Sequence, residues 1–332
     1  MTRLLMILLL AVAPLAAHGQ ALTLQLRGPG LGESAGYVLA QKRGYFQDLG
    51  LQVHLRPAPT QDNHPFETLA RGQADVAVEW LPVALVAREN GLPVVNLAQM
   101  QRQPAFRLTC LRDAGVVSAP DLRGRSIGNW FGGGEYPLLV WLHRLGLAVD
   151  DSLTGVGLMR QWSDPAQMLR HRQAACVSSL DHDPLPDDPA ITVLDPQAQG
   201  AALPEDGLYA LAPDLARPEF RDMLARLLQA SLRGWREAAA DPQAAARLVL
   251  GEDADPQTLQ RQTRIIARLA PTMSDTGRLD HGDLQRTAEM MRAAGLLRQM
   301  PRDAATDLVV QLGLTAPDPA GTAGGEAAAV RR

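Results

Sequence analysis

The chain has 332 residues, 46% of them hydrophobic and 20% charged, with a formal net charge of −4. That length allows two domains or one large one, and the hydrophobic share excludes global disorder. The mild acidity argues against nucleic acid or an anionic membrane surface as a partner.

Arg3 precedes the apolar run from Leu4 to Val12, and mostly small residues follow from Ala13 to Gly19. This is the pattern of a secretory signal peptide over residues 1–20, cut near Ala17-His18-Gly19 or Gly19-Gln20-Ala21. The run is too short for a membrane anchor, which needs roughly 20 apolar residues. Export to the periplasm is therefore the expected localisation.

Leu22-Thr23-Leu24-Gln25-Leu26 alternates and ends at Gly28-Pro29-Gly30, a strand and a turn. A short helix is expected from Gly36 to Gly44, then a strand at Leu51–Leu55, a helix at Phe66–Arg71 and a strand at Ala74–Val78. Pro82–Glu89 reads as helix and Val94–Ala98 as strand. Single helices between strands at this spacing mean βαβ units and a mostly parallel sheet. The rhythm continues with strands at Leu108–Leu111, Ser126–Trp130, Thr154–Met159, Ala174–Ser178, Ile191–Leu194 and Gly207–Leu211, and helices at Leu138–Leu145 and Asp164–Arg170. Beyond it lie four amphipathic helices, at Pro218–Ala239, Pro242–Leu250, Pro256–Leu269 and His281–Ala294. The Ala/Gly/Pro-rich stretch 316–332 reads as a disordered tail. Cys110 and Cys176 both sit in apolar strand-like runs, which leaves buried thiols and one disulfide equally open.

The stretch Gly128-Asn129-Trp130-Phe131-Gly132-Gly133-Gly134-Glu135-Tyr136-Pro137 links a strand to a helix. Gly132, Gly133 and Gly134 let the backbone approach a ligand closely, and the helix start offers free N–H groups. A carboxylate already stands there in Glu135, so a phosphate would meet repulsion and a neutral or donor-rich heterocycle fits better. Gly32-Glu33-Ser34-Ala35-Gly36 matches a hydrolase nucleophile pattern, but no downstream acid and histidine are marked out to complete a triad. His171, His182 and Asp183 lack ligand spacing with a third partner, so no metal site is expected.

Several ordered segments carry a resemblance. Gly44-Tyr45-Phe46-Gln47-Asp48-Leu49-Gly50-Leu51-Gln52-Val53 and Leu69-Ala70-Arg71-Gly72-Gln73-Ala74-Asp75-Val76 resemble elements of the solute-binding proteins of ATP-binding-cassette (ABC) importers. Trp80 to Arg88, Gly128 to Tyr136, Ser231 to Trp235 and Gly277 to Asp280 are similar to the NMT1/THI5-like branch, the SsuA/THI5 group. That branch includes binding proteins for thiamin pyrimidine precursors and for riboflavin. The resemblance implies an α/β, periplasmic-binding-protein-like type II fold, with two lobes around a ligand cleft and a helical C-terminal part. It places the first lobe at 21–107 plus 203–315 and the second at 108–202. It also implies a monomer that hands its ligand to a permease in the inner membrane, with no cofactor and no enzymatic activity.

The branch also contains a pyrimidine synthase with a pyridoxal-phosphate lysine, a consumed histidine and a cysteine-rich iron motif. Here the corresponding segment has Glu79 and Val83, and the cysteine motif is absent. Without the amine no Schiff base forms. The ligand-binding residues expected are Glu33, Tyr37, Glu79, Trp80, Trp130, Gly132, Gly133, Gly134, Glu135, Tyr136 and Asp181. Trp80, Trp130 and Tyr136 would stack on or line a heteroaromatic ligand, the glycine amides would grip its edge, and Glu135 and Asp181 would accept hydrogen bonds. Two departures stand out. Leu180-Asp181-His182 replaces a "YNE"-like cluster, and Leu31 to Val38 replaces a "QxxFAGYY" loop. A binder of sulfonate- or nitrate-type anions is the alternative within the same class.

Overall fold

The computed structural model describes residues 20–28, 31–58, 64–150, 152–161, 165–183, 188–306 and 308–311. The expected signal peptide, apart from its last residue, and the expected tail lie outside the described residues, as do Pro29 and Gly30 of the first turn.

The strands are β1 (Gln20–Gln25), β2 (Leu51–Arg56), β3 (Val76–Trp80), β4 (Val94–Gln99), β5 (Phe106–Leu111), β6 (Ser126–Asn129), β7 (Gly157–Arg160), β8 (Cys176–Leu180), β9 (Ile191–Leu194) and β10 (Asp206–Leu211). The helices are α1 (Ala35–Lys42), α2 (Tyr45–Asp48), α3 (Pro65–Ala70), α4 (Leu81–Glu89), α5 (Tyr136–Arg144), α6 (Pro165–Arg170), α7 (Pro218–Ala240), α8 (Pro242–Leu250), α9 (Pro256–Leu269), α10 (His281–Ala293) and α11 (Leu308–Gln311). The strands form two five-stranded sheets, ordered β2-β1-β3-β10-β4 and β7-β6-β8-β5-β9.

Each sheet is parallel except for one strand. β10 runs antiparallel to β3 and β4, and β5 antiparallel to β8 and β9. Both inverted strands are the first that the chain enters after passing from one sheet to the other, at 100–105 and at 195–205. The expectation of a mostly parallel sheet missed these two strands, because alternation carries no direction. β3 is buried along its whole length, as a central strand covered on both faces must be. The edge strand β2 alternates buried and exposed at its start.

β7 and β8 begin a few residues later than their apolar runs. Local bonds hold the preceding loop, with Ser152 N donating to Asp150 Oδ1 and Gly155 N to Ser152 Oγ, so pairing starts only at Gly157. The first core lies under the first sheet, where α1 crosses α7 at two glycines. A Cβ on Gly36 would lie 2.2 Å from Trp235 Cγ, and one on Gly234 would lie 2.0 Å from the Gly36 carbonyl oxygen. The second core packs Leu138, Trp141 and Leu142 of α5 against Ile127, Leu108 and the Cys110–Cys176 disulfide. The two cysteines face each other across β5 and β8, which resolves the open choice in favour of a bond. A third cluster spans the sheets, with Leu81 and Leu85 of α4, Val140 of α5, and Ala288 and Met291 of α10. Among the described residues no helix is long and apolar enough to cross a membrane.

Candidate functional site

The ends of the parallel strands of the two sheets face each other. Residues just past β1, β3, β6, β7 and β8 therefore converge on one cleft, the position where open α/β sheets bind ligands. Contacts across it are direct. His182 Nε2 from beyond β8 lies 3.6 Å from Glu33 Oε1 from beyond β1. Arg268 Nη1 on α9 donates to the Asp181 carbonyl at 2.8 Å. The glycine loop after β6 lies against the other lobe, where a Cβ on Gly132 would meet His64 Cε1 at 2.2 Å and one on Gly133 would meet Val83 Cγ2 at 2.5 Å.

On the first-sheet side, Arg27 lies with its guanidinium carbon 3.9 Å from the centroid of the Trp80 ring. Its Nε is 3.3 Å from Glu79 Oε1, and the same carboxylate oxygen accepts from the Trp80 backbone N–H at 2.9 Å. Burial raises the Glu79 and Asp206 carboxyls above their usual range, and the Arg27 charge offsets part of that rise in both. Burial also acts to raise Glu33, but the facing His182, with the charges of Arg27 and Arg261, outweighs it and holds Glu33 low. His182 is raised, because the Glu33 carboxylate facing it overcomes the opposing effect of burial.

Glu205 ties the two passages of the chain together. Its Oε1 accepts from Ala105 N at 2.9 Å and Phe106 N at 2.7 Å, and its Oε2 accepts from Gln101 Nε2 at 3.1 Å. Burial nonetheless pushes it up to about 7, against the lowering effect of the two backbone donors.

On the second-sheet side Gln161 Nε2 donates to the Ser178 carbonyl at 3.0 Å, and Ser178 Oγ bonds Asn129 Oδ1. A carbonyl only accepts, so Gln161 must point its amide nitrogen at Ser178, and its Oε1 is left buried without a hydrogen-bond partner.

The residues expected from sequence divide into two groups. Glu33, Glu79, Trp80, Gly132, Gly133 and Tyr136 gather around the cleft, Tyr136 within electrostatic reach of Glu79. Trp80 differs from expectation, because it is 1% exposed and Arg27 covers one ring face. Tyr37 is buried edge-on to Trp235 at 5.8 Å, in the first core rather than at the cleft. Trp130 leans on the second core, and Gly134 abuts it. Glu135 Oε2 accepts from Gly133 N at 2.7 Å, so these two groups satisfy each other. Asp181 is exposed, and Arg268 donates to its backbone carbonyl. Sequence reasoning missed Arg27, His64, Asn129, Gln161, Glu205 and Asp206, and gave His182 no role at the cleft. The acid pair Glu205-Asp206 directly before a strand was the one local signal.

Paired sheets of this topology, each with one inverted strand and joined by two passages of chain, define the periplasmic-binding-protein fold. The structure of the alkanesulfonate-binding protein SsuA from Xanthomonas axonopodis pv. citri superposes with a TM-score of 0.65 at 15% identity, covering 90% of this chain and 99% of that one. Residues 32–165 match the model of the family described as NMT1/THI5 like. The formylaminopyrimidine-binding protein of Halalkalibacterium halodurans is 32% identical over 27% of this chain and 27% of its own. The riboflavin-binding protein RibY of Chloroflexus aurantiacus is 26% identical over 79% of this chain and 78% of its own. The first curated relatives, which include 4-amino-5-hydroxymethyl-2-methylpyrimidine phosphate synthases of Saccharomyces cerevisiae, are matched over 38% of their length or less.

Proposed function

We propose that this chain is an exported solute-binding protein of an ABC importer, which closes its two lobes on a small heteroaromatic compound and delivers it to a membrane permease. The lobes divide where the chain passes between the sheets, at 100–105 and 195–205. The observation that carries this reading is the facing of strand ends from two sheets, with polar side chains of both meeting at Glu33 and His182. The disulfide suits an oxidising compartment. The names of the relatives that bind formylaminopyrimidine and riboflavin suggest the ligand class.

A synthase reaction through a lysine-bound cofactor is disfavoured by the chain itself. Its one lysine is Lys42, whose Nζ donates to the Leu248 carbonyl at the end of α8, away from the cleft.

Native mass spectrometry of freshly purified protein, followed by thermal melting with riboflavin and an aminopyrimidine, tests the reading. Ligand at about 100 times its dissociation constant stabilises by roughly 2.7 kcal/mol, which raises the melting temperature by about 5–10 °C in a protein of this size. A shift with sulfonate or nitrate and none with a heteroaromatic compound would make this an anion binder instead.

A further inference from the structure

Arg27 is set in the cleft by two neighbours. The Trp80 ring, 1% exposed, sets the plane of the guanidinium, and Glu79 sets its rotation through Nε. The Arg27 side chain itself stays 30% exposed. Among the described residues neither of its Nη groups makes a hydrogen bond, so a planar fork of donors is held ready. An unfilled acceptor stands beside it. Asp206 Oδ1 has no hydrogen-bond partner, and Asp206 and Glu33 both lie close enough to Arg27 to feel its charge.

This mixture of charges selects among ligands. A sulfonate or phosphate would fill the fork but turn its remaining acceptors toward two carboxylates. A cation would satisfy the carboxylates and meet Arg27. A neutral edge with an acceptor beside N–H donors satisfies both, because the acceptor takes the fork and the donors reach the acids.

We propose that Arg27, positioned by Trp80 and Glu79, is the ligand-recognition side chain of the cleft, and that it selects a neutral nitrogen heterocycle presenting a carbonyl or ring-nitrogen acceptor next to N–H donors, as a ureide, lactam or amino-azine edge does. The proposal rests on the binding-protein reading above. Trp80 on this view acts through Arg27 and not by stacking on the ligand.

Isothermal titration of the unliganded protein with lumichrome, 4-amino-2-methylpyrimidine and methanesulfonate tests it. At least one of the two heterocycles should bind, and methanesulfonate should bind far more weakly. Arg27→Lys keeps the charge and removes the fork, and should weaken the heterocycle by about 10- to 100-fold. Asp206→Asn preserves shape, so it serves where Arg27→Lys lowers the melting temperature. It should weaken the heterocycle about 10-fold and strengthen methanesulfonate. Unchanged heterocycle affinity in both variants overturns the role of Arg27 and leaves the binding-protein reading standing. Methanesulfonate binding without heterocycle binding overturns the selectivity and the heteroaromatic reading together. No binding of any probe to the wild type counts against both.

Discussion

His182 Nε2 and Glu33 Oε1 meet at 3.6 Å across the cleft, one from each sheet, and form a charged contact between the lobes. Glu33 is lowered from 4.5, so its contribution is present above about 4.5 and lost as pH falls through its folded value. His182 is raised from 6.5, so its contribution is present below about 6.5 and lost as pH rises through its folded value. The closed arrangement should therefore be favoured most between those two limits. Small-angle scattering across pH 4 to 9 should show the smallest radius of gyration there, with His182→Asn flattening the profile. The Glu33 side chain is 41% exposed, so salt should weaken the effect.

Glu205 behaves in the opposite sense. It is raised from 4.5 to about 7, so the folded chain holds this proton where the unfolded chain has released it. Its contribution to stability should fall as pH rises from about 4.5 to 7 and level off above. Glu205→Gln keeps an acceptor for Ala105 N and Phe106 N and removes that slope. Glu205→Ala orphans both donors and should cost about 2–4 kcal/mol, at about 1–3 kcal/mol for each buried group left unsatisfied. Urea unfolding at pH 5 and pH 7.5 separates the two variants.

What sequence made legible was local. Alternation marked the strands, and the Pro, Gly and Asp residues at helix ends marked α4, α7, α8, α9 and α10, as at Asp255, whose Oδ1 accepts from Thr258 N. The two-lobed fold came from ordered segments that resemble a family. The chemistry of the cleft was not legible, because it joins residues far apart in the chain. Arg27 meets Trp80, Glu33 meets His182, and Glu205 meets Ala105 only once both sheets exist. A tryptophan before a helix reads the same whether its ring will meet a ligand or an arginine. The glycine run was singled out for ligand contact, yet Gly133 gives its N–H to Glu135 and its missing Cβ leaves room for Val83.

The Cys110–Cys176 bond closes a loop with a sequence separation of 66. In the chain-entropy model that corresponds to about 4 kcal/mol. The double variant Cys110→Ala, Cys176→Ala should lose about 2–4 kcal/mol in urea unfolding, with its midpoint insensitive to reductant. Both sulfurs are fully buried, so the wild type should resist reduction while folded. Equal midpoints for wild type and double variant would remove the disulfide from the account of stability.

Gly133 holds a φ of +113°, which side chains other than glycine rarely adopt, and a Cβ there would lie 2.5 Å from Val83 Cγ2 on the opposite lobe. Gly133→Ala should therefore act twice. The backbone strain costs on the order of 1–3 kcal/mol, and the methyl group pushes α4 and the glycine loop apart. Scattering should show a more open molecule, and affinity for whichever ligand the wild type binds should fall about 10-fold. Val83→Ala in the same chain removes the clash and leaves the strain. The double variant should close again and recover most of the affinity, while its melting temperature stays below that of Val83→Ala alone. If Gly133→Ala changes neither the radius of gyration nor the affinity, contact between the glycine loop and α4 does not govern closure.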